Sequence, residues 1–380
     1  MRILHIIDEP YDSGIVQYAL KAAEGLMRRG HACRVWGLKG CYPLLEARRR
    51  GIGADGYSHP WLNLAVLRRS LRIQGLDLVV AHTGSAHTLA VAAAAWHRGP
   101  GTRRSSAASS SASGPVPADG GGGYLPVVRT RGDARPQSRR PGGRLLWSRT
   151  SGFVAANRRI LDEHSRLYGR PDLHAAVVYE GREDPGPPRP PARGAPTVGI
   201  VARLDPVKGH RCFLEAAARV LRECPDARFL VVGRQENVRA ADLLGHARRL
   251  GLADRLDLTG HVPDALEFMR RCHVGVVAST GSEAVSRSAV EWMAVGRPLV
   301  ATKVGCLPEY VIEGETGFLV PPGDAPALAR ATGRLVRDAF LRERMGQAGR
   351  RRYESRFTLE RFLDETERLY GETIHAVPSR

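Results

Sequence analysis

The sequence predicts an α/β protein of two units, each a parallel sheet flanked by helices. Three observations carry this. Short apolar runs ending in polar residues alternate with helical patterns, the order that builds parallel sheets. One proline-dense stretch, GREDPGPPRPPARGAP over 181–196, interrupts the series, and prolines join neither a sheet interior nor a helix. At 380 residues the chain is long enough to bury two cores. The expected division is a unit over 1–180, a linker over 181–196, a unit over 197–355 and a tail over 356–380.

The first unit opens strand, turn, helix, strand: RILHIID, EPYDSG, IVQYALKAAEGLMRRG and HACRVWGL. Ile15, Tyr18, Ala19, Ala22 and Leu26 recur at helical spacing, and Gly30 supplies the stop. LDLVVAH (76–82) and LPVVRTR (125–131) read as further strands. Between them, GTRRSSAASSSASGPVPADGGGG (101–123) has no apolar periodicity and reads as a flexible loop. The second unit runs TVGIVARL, a helix over 210–224, RFLVVG, a helix over 240–250, RLDLTGH, HVGVVAST, a helix starting near Ser286, PLVATKV and GFLVPPG. The tail, RFTLERFLDETERLYGETI, is helical, with Phe357, Leu359, Phe362 and Leu363 as a packing stripe. No internal repeat is evident.

Composition narrows the function. Hydrophobic content of 43% and charged content of 25% are those of a globular protein. No apolar run approaches the roughly 18 residues that span a bilayer, and MRILHIID reads as a buried strand, not a signal peptide, so a cytoplasmic location is expected. The six cysteines show no CxxC or metal spacing and suit isolated thiols. The net charge of +18 is nearly all arginine; residues 1–180 hold 26 Lys/Arg against 13 Asp/Glu. That unit should attract an anionic partner such as a phospholipid surface, a phosphorylated glycan or nucleic acid. Nothing resembles a recognition helix or an aromatic stacking platform, so nucleic acid is not expected. Trp61, Leu62, Leu64 and Leu67 beside Arg68, Arg69 and Arg72 form either a lipid-docking helix or a packed helix with a solvated basic edge.

Three features of the second unit should converge if its strands are parallel, because ligands sit beyond the carboxyl ends of such strands. In VGIVARLDPVKGH, Arg203 and Lys208 follow a strand and suit a diphosphate whose charge they neutralise. The turn TGSEAVSRS offers backbone N–H groups and a helix N-terminus. Glu283 precedes that helix and Glu291 lies one to two turns into it, where it can accept hydrogen bonds from a ribose diol. Read alone, the two carboxylates either address two parts of one ligand or are ordinary surface charge.

Together these residues resemble the family-4 retaining glycosyltransferases of the two-Rossmann (GT-B) fold. The resemblance rests on five elements in order: Arg203/Lys208, Glu283/Glu291, Gly296-Arg297-Pro298-Leu299-Val300, Pro308-Glu309, and Gly314-Glu315-Thr316-Gly317-Phe318-Leu319-Val320. It implies two Rossmann-like domains facing across a cleft, with the terminal helix crossing back to the first. It also implies that Arg203 and Lys208 hold the donor diphosphate, Glu291 the ribose and Glu283 the transferred sugar. The backbone at Val285 and Ser286 would touch sugar or phosphate, the turn at His261 and Val262 the base, and Gly14 in YDSGIVQ the donor phosphate or acceptor. His82 matches a position often polar in the group. Many relatives carry a histidine where this chain has Gly132, so Arg131 or Asp133 is the candidate to bind the acceptor.

The expected function is therefore retaining transfer of a sugar from a nucleotide diphosphate to a glycan, lipid-linked or lipopolysaccharide-type acceptor. No cofactor and no metal are expected, since no Asp-x-Asp is evident. A phosphorylase of related fold is the enzyme alternative; its pyridoxal phosphate would need Lys208 or Lys303. A non-catalytic protein binding membranes or anionic glycans through the basic first unit is the other. Action at the inner face of the cell membrane is compatible with transfer.

Overall fold

The computed structural model describes residues 1–58, 64, 67, 75–95, 125–133, 135, 141–170, 172–191, 193–281 and 283–376. Its strands form two sheets in which neighbouring strands are parallel. The first holds β1 (Arg2–Ile7), β2 (Ala32–Leu38), β3 (Gly53–Tyr57), β4 (Leu78–Ala81), β5 (Val127–Arg131), β6 (Gly152–Ala155) and β7 (His174–Val177), ordered β3-β2-β1-β4-β5-β6-β7. The second holds β8 (Thr197–Val201), β9 (Arg228–Val232), β10 (Leu256–Thr259), β11 (Val274–Val277), β12 (Leu299–Thr302) and β13 (Gly317–Val320), ordered β10-β9-β8-β11-β12-β13. This is the two-Rossmann arrangement that the resemblance implies. Central strands such as β4 and β12 are buried along their whole length, which is why they read as unbroken apolar runs.

Each sheet reverses its strand order once, between β1 and β4 and between β8 and β11. At such a point the connecting segments leave to opposite faces and open a crevice beyond the strand ends. The stretches after β1, β4, β8 and β11 carry Gly14, His82, Arg203/Lys208 and Glu283 respectively. Topology thus delivers the predicted residues to two crevices.

The helices of the first unit include α1 (Gly14–Arg28), α2 (Tyr42–Arg49), α3 (Gly84–Ala94), α4 (Gly143–Ser148) and α5 (Arg158–Tyr168). The second unit adds α6 (His210–Glu223), α7 (Ala240–Arg249), α8 (Ala265–Arg271), α9 (Arg287–Ala294), α10 (Leu307–Tyr310), α11 (Ala325–Arg337) and α12 (Ala339–Arg356). The register of α9 is set by Trp292, which is fully buried. A Cβ on Gly275 of β11 would stand 2.4 Å from its indole, so glycine is required where the ring lies on the strand.

The last helix, α13 (Leu359–His375), packs on the first unit, burying Phe362, Leu363, Leu369 and Tyr370 with Tyr18 and Leu26 of α1. Tyr18 and Phe362 meet edge-on at 4.9 Å, and Arg29 reaches Glu360, Asp364 and Glu367 at 2.6–3.0 Å. The predicted stripe divides, however. Phe357 precedes α13 and packs in the second unit against Tyr179 and Tyr310, because the backbone crosses between units right after it. That crossing lies beside the earlier one: the Arg182 amide donates to the Phe357 carbonyl at 2.9 Å and the Leu359 amide to the Arg182 carbonyl at 2.7 Å.

The proline-rich stretch is tied to the second unit. Arg350 holds the Asp184 carboxylate at 2.7 and 2.9 Å, and Arg297 donates to the Arg189 carbonyl at 2.7 Å. The low-complexity stretch 101–123 lies outside the described residues, as do Trp61, Leu62, Arg68, Arg69 and Arg72. Of that stretch, Leu67 is fully buried and Leu64 packs on the same cluster, so these two leucines serve the core and not an outer surface. Among the described residues, no helix is long and apolar enough to cross a membrane.

Candidate functional site

A cavity of about 1060 Å³ opens between the two units at the ends of both sheets. Gly14, His82, Arg129, Arg131, Asp133 and Trp147 line it from the first unit, and Arg203, Lys208, Ala284, Val285 and Arg287 from the second. Seven Arg/Lys side chains border it against three Asp/Glu, so it favours an anionic ligand.

The second-unit wall is built by local rules. After β8, Asp205 accepts from the Val207 amide at 3.0 Å and caps the short turn Pro206–Lys208. Asn237 donates to its other oxygen at 2.8 Å. Gly209 ends the turn at φ 72°, and a Cβ there would stand 1.9 Å from the Ala278 carbonyl oxygen. This approach presses Lys208 against the stretch after β11. Its ammonium pairs with the Glu283 carboxylate, to which Ser279 also donates at 2.5 Å. Lys208 and Glu283 therefore form one ion pair with Glu283 buried beneath the cavity. Arg203 is different: its side chain is 48% exposed and stands 3.6 Å from Asp205, leaving the guanidinium able to meet a ligand.

Glu291 lies elsewhere. It borders a separate cavity of about 280 Å³ with Lys21, Arg28, Arg182 and Leu266, and pairs with Arg182. Helical spacing does not put it beside Glu283, because Glu283 sits in the irregular turn ahead of α9. Val262 packs against the cluster that contains Leu230 and borders neither cavity. Ser286 is buried, its hydroxyl without a partner among the described residues. Burial pushes the neighbouring Cys306 thiol well above its usual range, while the Ser286 amide directed at that sulfur pulls the other way. The large cavity thus gathers Gly14, His82, Arg131, Asp133, Arg203, Lys208 and Val285, with Glu283 under its floor.

On the first-unit wall, Gly14 is the first residue of α1, and a Cβ there would meet no protein atom within 4 Å. His82 is 1% exposed and stacks on His5, with Nδ1 of His5 and Nε2 of His82 3.0 Å apart. Burial holds both rings neutral, lowering His5 to about 3 and His82 well below its ordinary value. Arg131 donates to Asp133 at 3.0 Å, so the two acceptor candidates are partners of one another. At Gly132 between them a Cβ would come within 3.2 Å of Ile15, so the position is crowded. Lys303, the other lysine a phosphorylase would use, is exposed and borders neither cavity.

Sequence reasoning missed several polar members, Arg129, Arg149, Glu180 and Arg287 among them. Arg129 is buried with a bond to the Ala81 carbonyl at 3.1 Å, and burial lowers it to about 10. Arg149 follows α4 with no motif to mark it, whereas Arg287 lies within the TGSEAVSRS turn but was not singled out there. Glu180 is buried, pairs with Lys21 and borders the cavity. Glu180 carried no signal either, since it follows the half-exposed edge strand β7, HAAV, by three positions.

Residues 195–338 match the family described as Glycosyl transferases group 1. This segment spans β8–β13 and carries Arg203, Lys208, Glu283 and Glu291. A phosphatidyl-myo-inositol mannosyltransferase of Mycobacterium leprae (strain TN) is 34% identical over 199 residues, covering 51% of this chain and 46% of the relative. A lipopolysaccharide core biosynthesis mannosyltransferase, LpcC of Rhizobium leguminosarum bv. viciae, is 32% identical over 184 residues, covering 48% and 52%. The chain thus spans about half the length of the curated relatives it matches. Structural likeness extends further. Anabaena HepE in complex with UDP superposes with a TM-score of 0.79 at 20% identity, covering 98% of this chain and 100% of that one. A glycosyltransferase from Rickettsia africae superposes with a TM-score of 0.80 at 18% identity, covering 98% of each. The segment that matches this family therefore sits in a GT-B fold, the architecture expected from the sequence.

Proposed function

We propose that the protein is a retaining, metal-independent glycosyltransferase whose group 1 domain binds a nucleotide-sugar donor. The observation that carries this reading is the placement of Arg203 and Lys208 after β8, opposite Gly14 after β1, on one cationic cavity at both strand-order reversals. As the bond from the sugar to the diphosphate breaks, negative charge grows on the leaving oxygen. Arg203, Lys208 and Arg287 stabilise it there, which lowers the barrier selectively. Glu283, held by Lys208 and Ser279, orients the donor from below. Glu291 borders the smaller cavity with Lys21, whose partner Glu180 borders the large one, and takes the ribose there once the nucleotide displaces Arg182 from it.

Neighbours support the donor class: Anabaena HepE is crystallised with UDP and with UDP-glucose. Relatives named for phosphatidyl-myo-inositol, capsular polysaccharide and lipopolysaccharide core support a lipid-linked or glycan acceptor. The excess positive charge of residues 1–180 supports work at an anionic membrane face. The test is thermal denaturation with UDP-, GDP- and ADP-sugars, which needs no acceptor. One of them at a hundred times its dissociation constant should stabilise the fold by about 2.7 kcal/mol. A flat response to all of them sinks the proposal.

A further inference from the structure

Beside the cavity, the side chain of Asn157 reaches into both units. Its Oδ1 caps α5 by accepting from the Ile160 amide at 2.9 Å. Its Nδ2 donates to the Ala284 carbonyl of the second unit at 2.7 Å. The two partners fix the sense of the amide, since a reversed group would set oxygen against oxygen and N–H against N–H. Asn157 is 2% exposed, so this bond is shielded from water.

Along the same seam the Glu309 carboxylate accepts from the Arg158 and Arg159 amides at 2.7 and 3.2 Å and from the Tyr179 hydroxyl at 3.0 Å. The first N–H groups of α5, which its own helix cannot satisfy, are thus satisfied by the second unit. Ala284 is the residue between Glu283, the partner of Lys208, and Val285, which borders the cavity. The Cys306 amide holds the preceding Glu283 carbonyl at 2.7 Å, so the turn is gripped from both units.

We infer that Asn157 is a positioning residue: its Nδ2–Ala284 bond holds the 283–286 turn in its donor-binding shape while the two units are docked. This rests on the transferase reading above. Opening the cleft breaks that bond and frees the turn. Donor binding through Arg203 survives opening, whereas breaking the sugar–diphosphate bond needs the docked seam, which sets Lys208 and Glu283 at the donor.

Asn157→Asp separates the two jobs of the side chain. Aspartate caps a helix as well as asparagine does, but it sets a carboxylate oxygen against the Ala284 carbonyl. In the ligand-free full chain, the urea midpoint of Asn157→Asp should fall, because a carboxylate is buried against a carbonyl, and amide hydrogen exchange over 283–287 should quicken about tenfold more than exchange in the buried strands β4 and β12 does. Glu309→Gln, which loosens the seam without touching the turn, should quicken it less. Unchanged exchange in both variants overturns the inference. With UDP-glucose, GDP-mannose and ADP-glucose as donors and water as the acceptor of the sugar, Asn157→Asp should lower kcat for nucleotide release at least about tenfold while KM stays within about threefold. Equal kcat values also overturn it. If the wild type binds none of the three donors, the transferase reading fails, and hydrogen exchange still decides the role of Asn157.

Discussion

Lys208 serves two partners, and a single substitution there confounds them. Lys208→Ala strips the cation from the buried Glu283 carboxylate, leaving it, among the described residues, the Ser279 hydroxyl. Breaking such a pair costs about 3 kcal/mol, so a loss of ligand in this variant reports folding as well as recognition. Adding Glu283→Gln removes the stranded charge. In urea denaturation the double variant should recover most of that stability without recovering donor affinity; equal losses in single and double variants would show that the pair is not what Lys208 holds in place. Gly14 offers the opposite case. A methyl group there meets no protein atom but projects into open space at the mouth of α1, a helix it suits. Gly14→Ala should leave the melting temperature level or raise it slightly, and weaken donor or acceptor binding. A variant with lower stability and intact binding would mean that Gly14 is only a turn residue.

Among the elements, β11 and α9 depend on one another through a ring and a glycine. Gly275→Ala drives a methyl into the Trp292 indole and should cost about 1–3 kcal/mol, with α9 displaced. Stability equal to wild type would show that α9 can move without penalty. The strands that announced themselves in the sequence are those buried on both faces, such as β1, β4 and β8, whose runs are continuous. β3, with the sequence GADGY, and β7, with HAAV, stayed illegible because each lies at a sheet edge, half-exposed, and needs no apolar run. The site divides on the same principle. Arg203 and Lys208 were legible because a cation just beyond an apolar strand has a readable place. The Arg182–Glu291 pair was not, since its members stand 109 residues apart and meet only when the chain crosses between units. Asn157 was hidden in the same way, its cap local and its second partner 127 residues distant.

The molecule as a whole is stapled by two adjacent crossings of the chain and by α13, so its stability should respond to pH as one body. His164, His210 and His273 are each lowered by burial to about 4, and the Thr197 amide donates to Nδ1 of His273 at 3.0 Å, a bond that fails when that nitrogen is protonated. An unfolded chain takes up these protons near pH 6.5 and the folded one does not until about pH 4. Stability is therefore full above about pH 6.5 and falls as pH drops toward 4, by up to about 3 kcal/mol for the most buried ring. Urea midpoints that stay level from pH 7.5 to 4.5 would contradict this. Ligand binding tests the larger claim, that the cationic cavity between the units receives the diphosphate of a nucleotide sugar. Arg203 is the cleanest probe, because its half-exposed side chain can be removed with little effect on the fold. Calorimetric titration of wild type and Arg203→Ala with UDP-glucose and GDP-mannose should show binding of at least one donor by wild type. It should also show a loss of about tenfold or more in the variant at unchanged melting temperature. Equal affinity in the two proteins, or no binding by either, would contradict the account.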